Sequence, residues 1–371
     1  MTKTQARLNE LHGGEVEWAV SEKYDIPITQ IVSFASTVSP IIPKSILSLG
    51  RKLDQLYLYP ARDHAKLKEA IAKHEGIDDT SEIILGCGST EIIHIFAQMI
   101  SGGEAIIPAP TYGEYETAVT KYGGKTVFAG IGEDFNLDID AVEEAVSPRT
   151  KAIFVCNPNN PTGRLYQRSD LLELARIARE REFVLIVDEA YLAFAPESKR
   201  YSMASLTGSY PVLVLNSLSK LFGVPSLRLG WGIASPMITK RLERFKIPWT
   251  ISNPAIWAGE ELLYDVAHER RIKRLIASQK SELVTQFKGM SWLKVWPSDC
   301  NFLLLQILDE HITAPDVFES LVKKGIVVRD CSSIRGLGDR FLRVTVRTPI
   351  NNRALISSLK QVAMTIPTLR S

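Results

Sequence analysis

The residues best suited to chemistry are a lysine flanked by hydroxyl groups and an arginine that follows it closely. The lysine is Lys220, preceded by Ser217 and Ser219, and Arg228 comes eight residues later. A lysine in a partly desolvated setting can lose its proton and attack a carbonyl carbon, which forms a Schiff base. An arginine beside serine hydroxyls can grip a phosphate through paired hydrogen bonds. A Schiff base next to a phosphate site predicts the cofactor pyridoxal 5′-phosphate (PLP), although a lone lysine is more often a solvated surface charge.

The other groups that PLP requires occur in order along the chain. Asp188 ends an apolar run and can pair with a protonated pyridine nitrogen, which keeps the ring an electron sink. Asn160 and Tyr191 can hydrogen-bond the ring oxygen, and Tyr112 can stack on the ring. Ser89 and Thr90 can receive the phosphate at a helix N-terminus. Simpler interpretations exist for several of these residues: Asp188 as a helix cap, Asn160 as part of a turn, and Tyr112 as a core side chain.

The pattern that positions these residues is an alternation of strands and helices. Between about residues 80 and 235, short apolar runs alternate with amphipathic stretches, at a spacing of roughly 30 residues that is typical of βαβ units. Such units form a mostly parallel sheet covered by helices on both faces. Because open α/β sheets bind ligands at the carboxyl ends of their strands, we expect the residues above to meet at one sheet edge.

The remainder of the chain predicts a second, smaller α+β domain. It contains a long charged helix at 255–288, short strands near 293–307 and 341–347, and helices near 314–324 and 351–363. The first 45 or so residues contain no predicted strand. We therefore expect an α/β protein with three parts: an N-terminal segment (1–45) packing on the small domain, a large PLP-binding domain (46–255) with a mostly parallel central sheet, and a small C-terminal domain (256–371).

Composition narrows the class of protein without indicating the chemistry. The 371 residues carry 44 Lys and Arg against 42 Asp and Glu, and this net charge of +2 argues against broad nucleic-acid binding. The four cysteines are widely spaced, which predicts neither a zinc site nor a disulfide framework. The sequence shows no apolar signal segment and no run long enough to cross a bilayer, so we expect a cytoplasmic protein with no membrane or nucleic-acid partner.

Taken together, the motifs resemble fold type I PLP enzymes of the class I/II aminotransferase superfamily over essentially the whole chain. The resemblance implies that Lys220 forms the Schiff base and shuttles protons, Asp188 pairs with the pyridine nitrogen, and Asn160 and Tyr191 bond the ring oxygen. It further assigns the phosphate to Ser89, Thr90, Ser217, Ser219 and Arg228. Tyr59 is similar to a tyrosine that reaches the phosphate of the other subunit, which implies a homodimer with a shared active site. Arg343 is similar to the arginine that grips the substrate α-carboxylate; the alternative is a strand-edge charge.

Local motifs are most similar to one branch of that superfamily, the L-threonine-O-3-phosphate decarboxylases of cobalamin biosynthesis. The similarity is carried by His12-Gly13-Gly14, by the stretch from Val328 to Ser333 and by the stretch from Arg343 to Thr348. It implies that His12 and Arg329 contact the substrate. Histidinol-phosphate aminotransferases are the next branch. Two departures concern the substrate wall: Thr37 and Ser39 replace expected asparagines, and Ala193 replaces an aspartate.

Our leading hypothesis is a carboxy-lyase, a PLP-dependent decarboxylase acting on L-threonine O-3-phosphate or a close analogue such as O-phosphoserine, with Lys220 as the catalytic residue. The alternative is an aminotransferase of the histidinol-phosphate type, because the same residues support both reactions. A non-catalytic PLP-fold regulator is disfavoured by the complete cofactor set. A nicotinamide-binding protein is rejected, because Gly86-Cys87-Gly88 is not followed by the third glycine of the dinucleotide motif.

Overall fold

The structure is a computed structural model that describes residues 15–370, with side chains described for 16–362. The chain divides into two compact units. The larger contains residues 41–160 and 164–272; the described part of the smaller contains 15–40, 161–163 and 273–370. These limits lie at residue 40 and inside a long helix, whereas the sequence placed them at residues 45 and 255.

Strands are numbered along the chain. The larger unit holds β2 (Ile83–Gly86), β3 (Glu104–Ala109), β4 (Lys125–Gly130), β5 (Thr150–Cys156), β6 (Val184–Asp188), β7 (Val212–Ser217) and β8 (Gly230–Ile233). The smaller unit holds β1 (Val32–Ser33), β9 (Leu293–Val295), β10 (Phe302–Ile307), β11 (Ile326–Val327), β12 (Arg329–Asp330) and β13 (Phe341–Thr345).

Helices are numbered in the same way. The larger unit holds α2 (Ala65–Glu75), α3 (Ser89–Met99), α4 (Glu114–Lys121), α5 (Ile139–Glu144), α6 (Arg168–Glu180), α7 (Leu218–Leu221), α8 (Pro236–Glu243) and α9 (Asn253–Leu262). The boundary between the units falls within α10 (Val266–Lys288), and the smaller unit holds α1 (Glu15–Tyr24), α11 (Ala314–Val322) and α12 (Pro349–Arg370).

The larger unit is built around a seven-stranded sheet with the order β2-β8-β7-β6-β5-β3-β4. Its strands run parallel except for β8, which is antiparallel to both neighbours. The central strands are apolar on both faces, so that Ile153, Leu185 and Leu213 are each fully buried. Strands buried on both faces are expected where βαβ crossovers lay helices over each side of a sheet. The predicted α/β class with a mostly parallel central sheet is confirmed.

The carboxyl ends of the three central strands are aligned by their hydrogen-bond register. Asp188 pairs with Cys156 on one side and with Leu215 on the other. The ladder continues one step beyond the strands, because the backbone N–H of Asn157 donates to the Asp188 carbonyl at 2.8 Å and that of Glu189 to the Leu215 carbonyl at 2.8 Å. The segments that leave β5, β6 and β7 therefore start side by side, as an open α/β sheet requires of a ligand site.

The smaller unit contains a four-stranded antiparallel sheet, β12-β13-β10-β9, and a two-stranded parallel pair, β1-β11. The prediction that the first 45 residues lack a strand was wrong: Val32 and Ser33 pair with Ile326 and Val327. A strand of two residues is too short to produce the alternation by which strands are found in a sequence. The segment continues through backbone contacts, since the N–H of Thr345 donates to the Phe34 carbonyl at 2.9 Å.

The predicted long helix at 255–288 is two helices, α9 and α10. They are separated at Leu263–Asp265, where the Asp265 carboxylate accepts a hydrogen bond from the backbone N–H of His268 at 3.0 Å. An aspartate that satisfies an early N–H of a helix is a helix start signal, and it begins α10 here. The three residues at the break include neither glycine nor proline, which explains why the sequence suggested one helix.

Within residues 15–370, no helix combines the length and apolar character that crossing a membrane requires. The same part of the chain contains no group of three or more His, Cys, Asp or Glu side chains placed to hold a metal ion.

Candidate active site

Asp188 ends β6 with its carboxylate buried beneath the edge of the sheet; its residue is 5% exposed. The Tyr115 hydroxyl donates to Oδ2 at 2.9 Å and the backbone N–H of Ala190 donates to Oδ1 at 3.1 Å. Burial raises the pKa of this carboxyl, while the two hydrogen bonds and the nearby Lys220 charge lower it. The carboxylate is thus held in a fixed orientation with capacity left to accept a hydrogen bond from a cationic ring nitrogen.

Lys220 lies on α7, the single helical turn that follows β7. Ser217 caps this turn, because its hydroxyl accepts a hydrogen bond from the backbone N–H of Ser219 at 3.2 Å. The Lys220 Nζ atom lies 5.4 Å from the ring centroid of Tyr191, which is itself buried. Its charge acts on Asp188 as well. The lysine and the carboxylate therefore belong to one site at the ends of neighbouring strands.

The start of α3 brings backbone N–H groups and an arginine together in an arrangement that suits an anion. Gly88 is the N-cap residue, with φ of 77° and ψ of 165°, and a Cβ placed on it would lie 2.6 Å from Arg228 Nη2. The first turn of α3 carries Ser89 and Thr90, whose backbone N–H groups sit at the positive end of the helix dipole. Where side chains are described, the Arg228 guanidinium bonds the backbone carbonyls of Pro225 and Cys87, at 3.1 and 3.4 Å, and forms no ion pair with a carboxylate.

Ser219, one residue before Lys220, carries a buried hydroxyl. Its Oγ atom is buried and, among the described residues, has no hydrogen-bond partner. A buried hydroxyl without a partner costs free energy, so its hydrogen is expected to have an acceptor in the working protein. A phosphate oxygen is an acceptor of the kind this hydroxyl lacks.

The wall of the site is aromatic. The Tyr112 hydroxyl hydrogen-bonds the Thr90 side chain, and burial raises the pKa of the Tyr112 phenol. The Tyr112 ring meets that of Tyr115 edge to face, with centroids 5.5 Å apart. Asn160 is buried at the end of the turn that follows β5. A flat cofactor can stack on the Tyr112 ring with polar groups at its edges.

Sequence reasoning missed four residues that form hydrogen bonds in or beside this site. They are Glu91, Tyr115, Asn159 and Glu189. Glu91 accepts from the backbone N–H of Cys87 at 2.6 Å and from the Thr250 hydroxyl at 3.1 Å, which orders the loop before Gly88. Asn159 accepts from the Thr111 hydroxyl at 2.7 Å and donates to the Pro110 carbonyl at 2.9 Å, which ties the Asn160 turn to the Tyr112 loop.

Glu189, directly after Asp188, is a buried carboxyl. It accepts hydrogen bonds from the backbone N–H of Met203 and from the Ser202 hydroxyl, both at 2.7 Å. Burial raises the pKa of Glu189 to about 8 despite these two donors. The one available signal was its position next to Asp188 at the end of an apolar strand.

The predicted substrate residues, and Tyr59, which was predicted to reach a cofactor phosphate, are placed as follows. In the smaller unit, Arg329 and Arg343 are register partners on β12 and β13 and are 6% and 7% exposed. Arg343 Nη2 donates to the Ala35 carbonyl at 2.6 Å, and Arg329 Nη2 donates to the Ser333 hydroxyl at 3.3 Å. Tyr59 is placed at the surface of the larger unit, 83% exposed, with its ring 5.7 Å from that of Trp249. His12 lies outside the described residues.

The residues of the larger unit fit PLP. The subsite at Gly88 and Arg228 suits a dianionic phosphate, the Asp188 carboxylate suits a pyridinium nitrogen, and Lys220 suits an aldehyde carbon. The buried Ser219 hydroxyl, on the same helical turn as Lys220, has no hydrogen-bond partner among the described residues and could donate to an oxygen of a bound cofactor.

The comparisons with known proteins agree with this geometry. The chain is 34% identical over 346 residues to a histidinol-phosphate aminotransferase of Methanosarcina mazei, an alignment covering 92% of this chain and 90% of the relative. It is 32% identical over 332 residues to a putative threonine-phosphate decarboxylase of Caldanaerobacter subterraneus, with 88% of each chain covered.

Solved structures show the same fold. The L-threonine-O-3-phosphate decarboxylase of Porphyromonas gingivalis matches with a TM-score of 0.81 and 26% identity, over 90% of this chain and 100% of the other. The histidinol-phosphate aminotransferase of Sinorhizobium meliloti, determined with pyridoxal 5′-phosphate, matches in fold with a TM-score of 0.86 at 20% identity, over 100% of this chain and 98% of the other. The family model for class I and II aminotransferases matches residues 48–359. The chain therefore belongs to the class I and II aminotransferase family and is a PLP-dependent enzyme.

Proposed function

We propose that this enzyme decarboxylates a phosphorylated amino acid, L-threonine O-3-phosphate or a close analogue such as O-phosphoserine, to the corresponding amine phosphate. A relative named a putative threonine-phosphate decarboxylase, 32% identical over 88% of the chain, supports the proposal. The observation that carries it is the pair of buried arginines in the smaller unit.

Arg329 and Arg343 place two positive charges side by side in a buried setting. Burial lowers the pKa of Arg329, and the neighbouring Arg343 charge also lowers it, while Cys331 and Asp330 act in the opposite direction; burying both guanidinium groups has a cost. Anions offset that cost, and arginine binds both carboxylate and phosphate through two parallel hydrogen bonds. A phosphorylated amino acid carries both groups, so one molecule can satisfy the pair.

The residues of the larger unit then have defined roles. PLP, when bound, withdraws electrons from the substrate Cα, so that a Cα bond perpendicular to its ring can break. Asp188 holds the proton at the ring nitrogen, and Arg228 with Ser219 and the first turn of α3 binds the phosphate. Lys220 moves a proton to or from Cα, as a general acid or base.

The substrate pose selects the reaction. A pose with the α-carboxylate perpendicular to the ring would favour loss of CO₂, after which Lys220 would return a proton to Cα. A pose with the Cα–H bond perpendicular would favour transamination. We propose the first arrangement.

Transamination of histidinol phosphate is the second candidate. It is supported by relatives named histidinol-phosphate aminotransferase, such as the one 34% identical over 92% of the chain. Every residue named for the cofactor serves this reaction equally well.

A homodimer completes the proposed site. In addition to Tyr59, several large apolar side chains of the larger unit are exposed, as they would be if a second copy of the chain covered them. They include Leu47, 77% exposed, Tyr57, 81% exposed, and Ile247, 69% exposed. A second copy covering this surface would bring Tyr59 to the neighbouring cofactor phosphate.

The deciding experiment incubates the PLP-loaded enzyme with O-phosphothreonine and with O-phosphoserine and measures CO₂ and the amine phosphate. Lys220→Ala, loaded in the same way, controls for uncatalysed breakdown by free PLP. We expect CO₂ release that depends on Lys220 and needs no keto acid. Glutamate-dependent formation of a keto product without CO₂ would refute the decarboxylase proposal and favour the aminotransferase.

A further inference from the structure

Tyr115 is a buried residue whose hydroxyl hydrogen-bonds the Asp188 carboxylate. It lies on α4, is fully buried, and is separated from Asp188 by 73 residues of sequence. Its hydroxyl donates to Asp188 Oδ2 at 2.9 Å. A hydrogen bond between neutral donor and charged acceptor in a buried site is among the stronger ones in proteins.

Packing leaves the Tyr115 ring little freedom. It stacks on Phe154 of β5, with centroids 5.2 Å apart and planes at 18°, and it meets Tyr112 edge to face at 5.5 Å. The ring is therefore clamped between the sheet and the aromatic wall of the site. A rotation that removed the hydroxyl from Asp188 would disrupt both contacts, so the hydrogen bond is preorganised.

The direction of this hydrogen bond has a chemical consequence. A donor stabilises the carboxylate form of Asp188 and makes it less basic, which opposes the effect of burial on its pKa. A pyridine nitrogen facing Asp188 competes with it for one proton. The less basic the carboxylate, the more completely the proton stays on the nitrogen.

We propose that Tyr115 is a positioning residue whose hydroxyl keeps Asp188 ionised and so retains the proton on the PLP ring nitrogen. The proposal rests on the assignment of Asp188 as the partner of that nitrogen. Tyr115 touches neither substrate nor reacting atoms; it acts through Asp188.

The test compares Tyr115→Phe with a matched variant, Tyr166→Phe. Tyr166 is 3% exposed, and its hydroxyl is buried with no hydrogen-bond partner among the described residues. Both changes delete one buried phenolic oxygen and preserve the ring. PLP affinity is measured by titrating the apoenzyme, and the protonation of the bound ring is read from the ¹⁵N signal of PLP labelled at the pyridine nitrogen. The melting temperature of each apoenzyme confirms that it is folded.

We expect Tyr115→Phe to weaken PLP binding about tenfold, equivalent to about 1.4 kcal/mol, and to move the ¹⁵N signal towards that of an unprotonated pyridine. Tyr166→Phe should change neither quantity. Equal behaviour of the two variants would overturn the role of Tyr115.

A double-mutant cycle with Asp188→Asn separates this inference from the assignment beneath it. If Tyr115 acts through Asp188, its effect disappears when Asp188 is already asparagine. An effect of the same size in both backgrounds would mark Tyr115 as purely structural and overturn the proposal. Unchanged PLP affinity and ¹⁵N signal in Asp188→Asn alone would overturn the Asp188 assignment itself.

Discussion

Replacing Gly88 by alanine tests the anion subsite most directly. Gly88 has φ of 77° and ψ of 165°, a backbone region occupied almost only by glycine, so any side chain there costs about 1–3 kcal/mol. The new Cβ would also lie 2.6 Å from Arg228 Nη2 and 3.2 Å from its Cζ. Since real Cβ atoms do not approach so closely, the guanidinium must move.

This displacement of Arg228 should weaken PLP binding more than it lowers the stability of the fold. A hydrogen bond from a guanidinium to a phosphate contributes about 1.5–3 kcal/mol, so loss of Arg228 from its position predicts PLP binding weaker by about 10- to 100-fold. PLP affinity is measured by titration of the apoenzyme, and stability by urea unfolding of the same apoenzyme.

Gly102→Ala is the matched control. Gly102 has the same φ of 77°, but a Cβ on it would have no atom within 4 Å. This variant should lose stability through backbone strain and bind PLP like the parent. If Gly88→Ala also binds PLP like the parent, Arg228 does not bind the phosphate from the position described, and the reasoning is wrong.

Four further outcomes are expected. Lys220→Ala should lose the visible Schiff-base band that borohydride removes, and turnover should fall by about 10²- to 10⁴-fold or more. Glu189 has a folded-state pKa of about 8, above its ordinary value of 4.5, so it contributes stability at low pH that is lost as the pH rises through that interval. The free energy of unfolding in urea, measured at pH 5, 6.5 and 8, should therefore fall less with rising pH in Glu189→Gln than in the parent. An equal fall in both proteins would contradict the raised pKa of Glu189. Arg343→Lys keeps the charge but loses the planar fork, so KM should rise about tenfold or more with little change in PLP affinity. Light scattering should give the mass of a dimer, and Tyr59→Phe should weaken PLP binding in that dimer about 5- to 10-fold without dissociating it.

The sequence was sufficient to predict the large sheet and the residues at the ends of its strands. Apolar runs such as the one before Asp188 are local signals, and parallel strands bring their carboxyl ends to one edge whatever the intervening loops do. Lys220 and Asp188 could therefore be assigned to one site from their positions alone. The two-residue strand β1 was missed because it is too short to show alternation, and the break before α10 was missed because neither glycine nor proline marks it.

Contacts between distant residues were beyond the reach of the sequence. Tyr115 reads as an apolar helix position, and nothing near it indicates that its hydroxyl meets a carboxylate 73 residues away. The same holds for Glu75, whose carboxylate accepts from Trp231 Nε1 at 3.0 Å and from Asn216 Nδ2 at 3.1 Å and so anchors the end of β7 before Ser217. These hydrogen-bond partners are brought together by the packing of helices on the sheet. Because such packing imposes no fixed number of residues between the partners, the sequence carries no pattern that predicts them.

The N-terminal segment bonds Arg343 and Asn301 through backbone carbonyl groups near Thr37 and Ser39. Arg343 is oriented by the backbone carbonyl of Ala35, and Asn301 Nδ2 donates to the backbone carbonyl of Thr37 at 2.9 Å. Carbonyl groups are the same for every residue type, so a substitution at Thr37 or Ser39 preserves these hydrogen bonds. Both side chains are nevertheless buried, at 5% and 4% exposed. If, as the resemblance implies, asparagines stand at these positions in related decarboxylases, we expect Thr37 and Ser39 to be the positions at which to seek a difference in substrate preference.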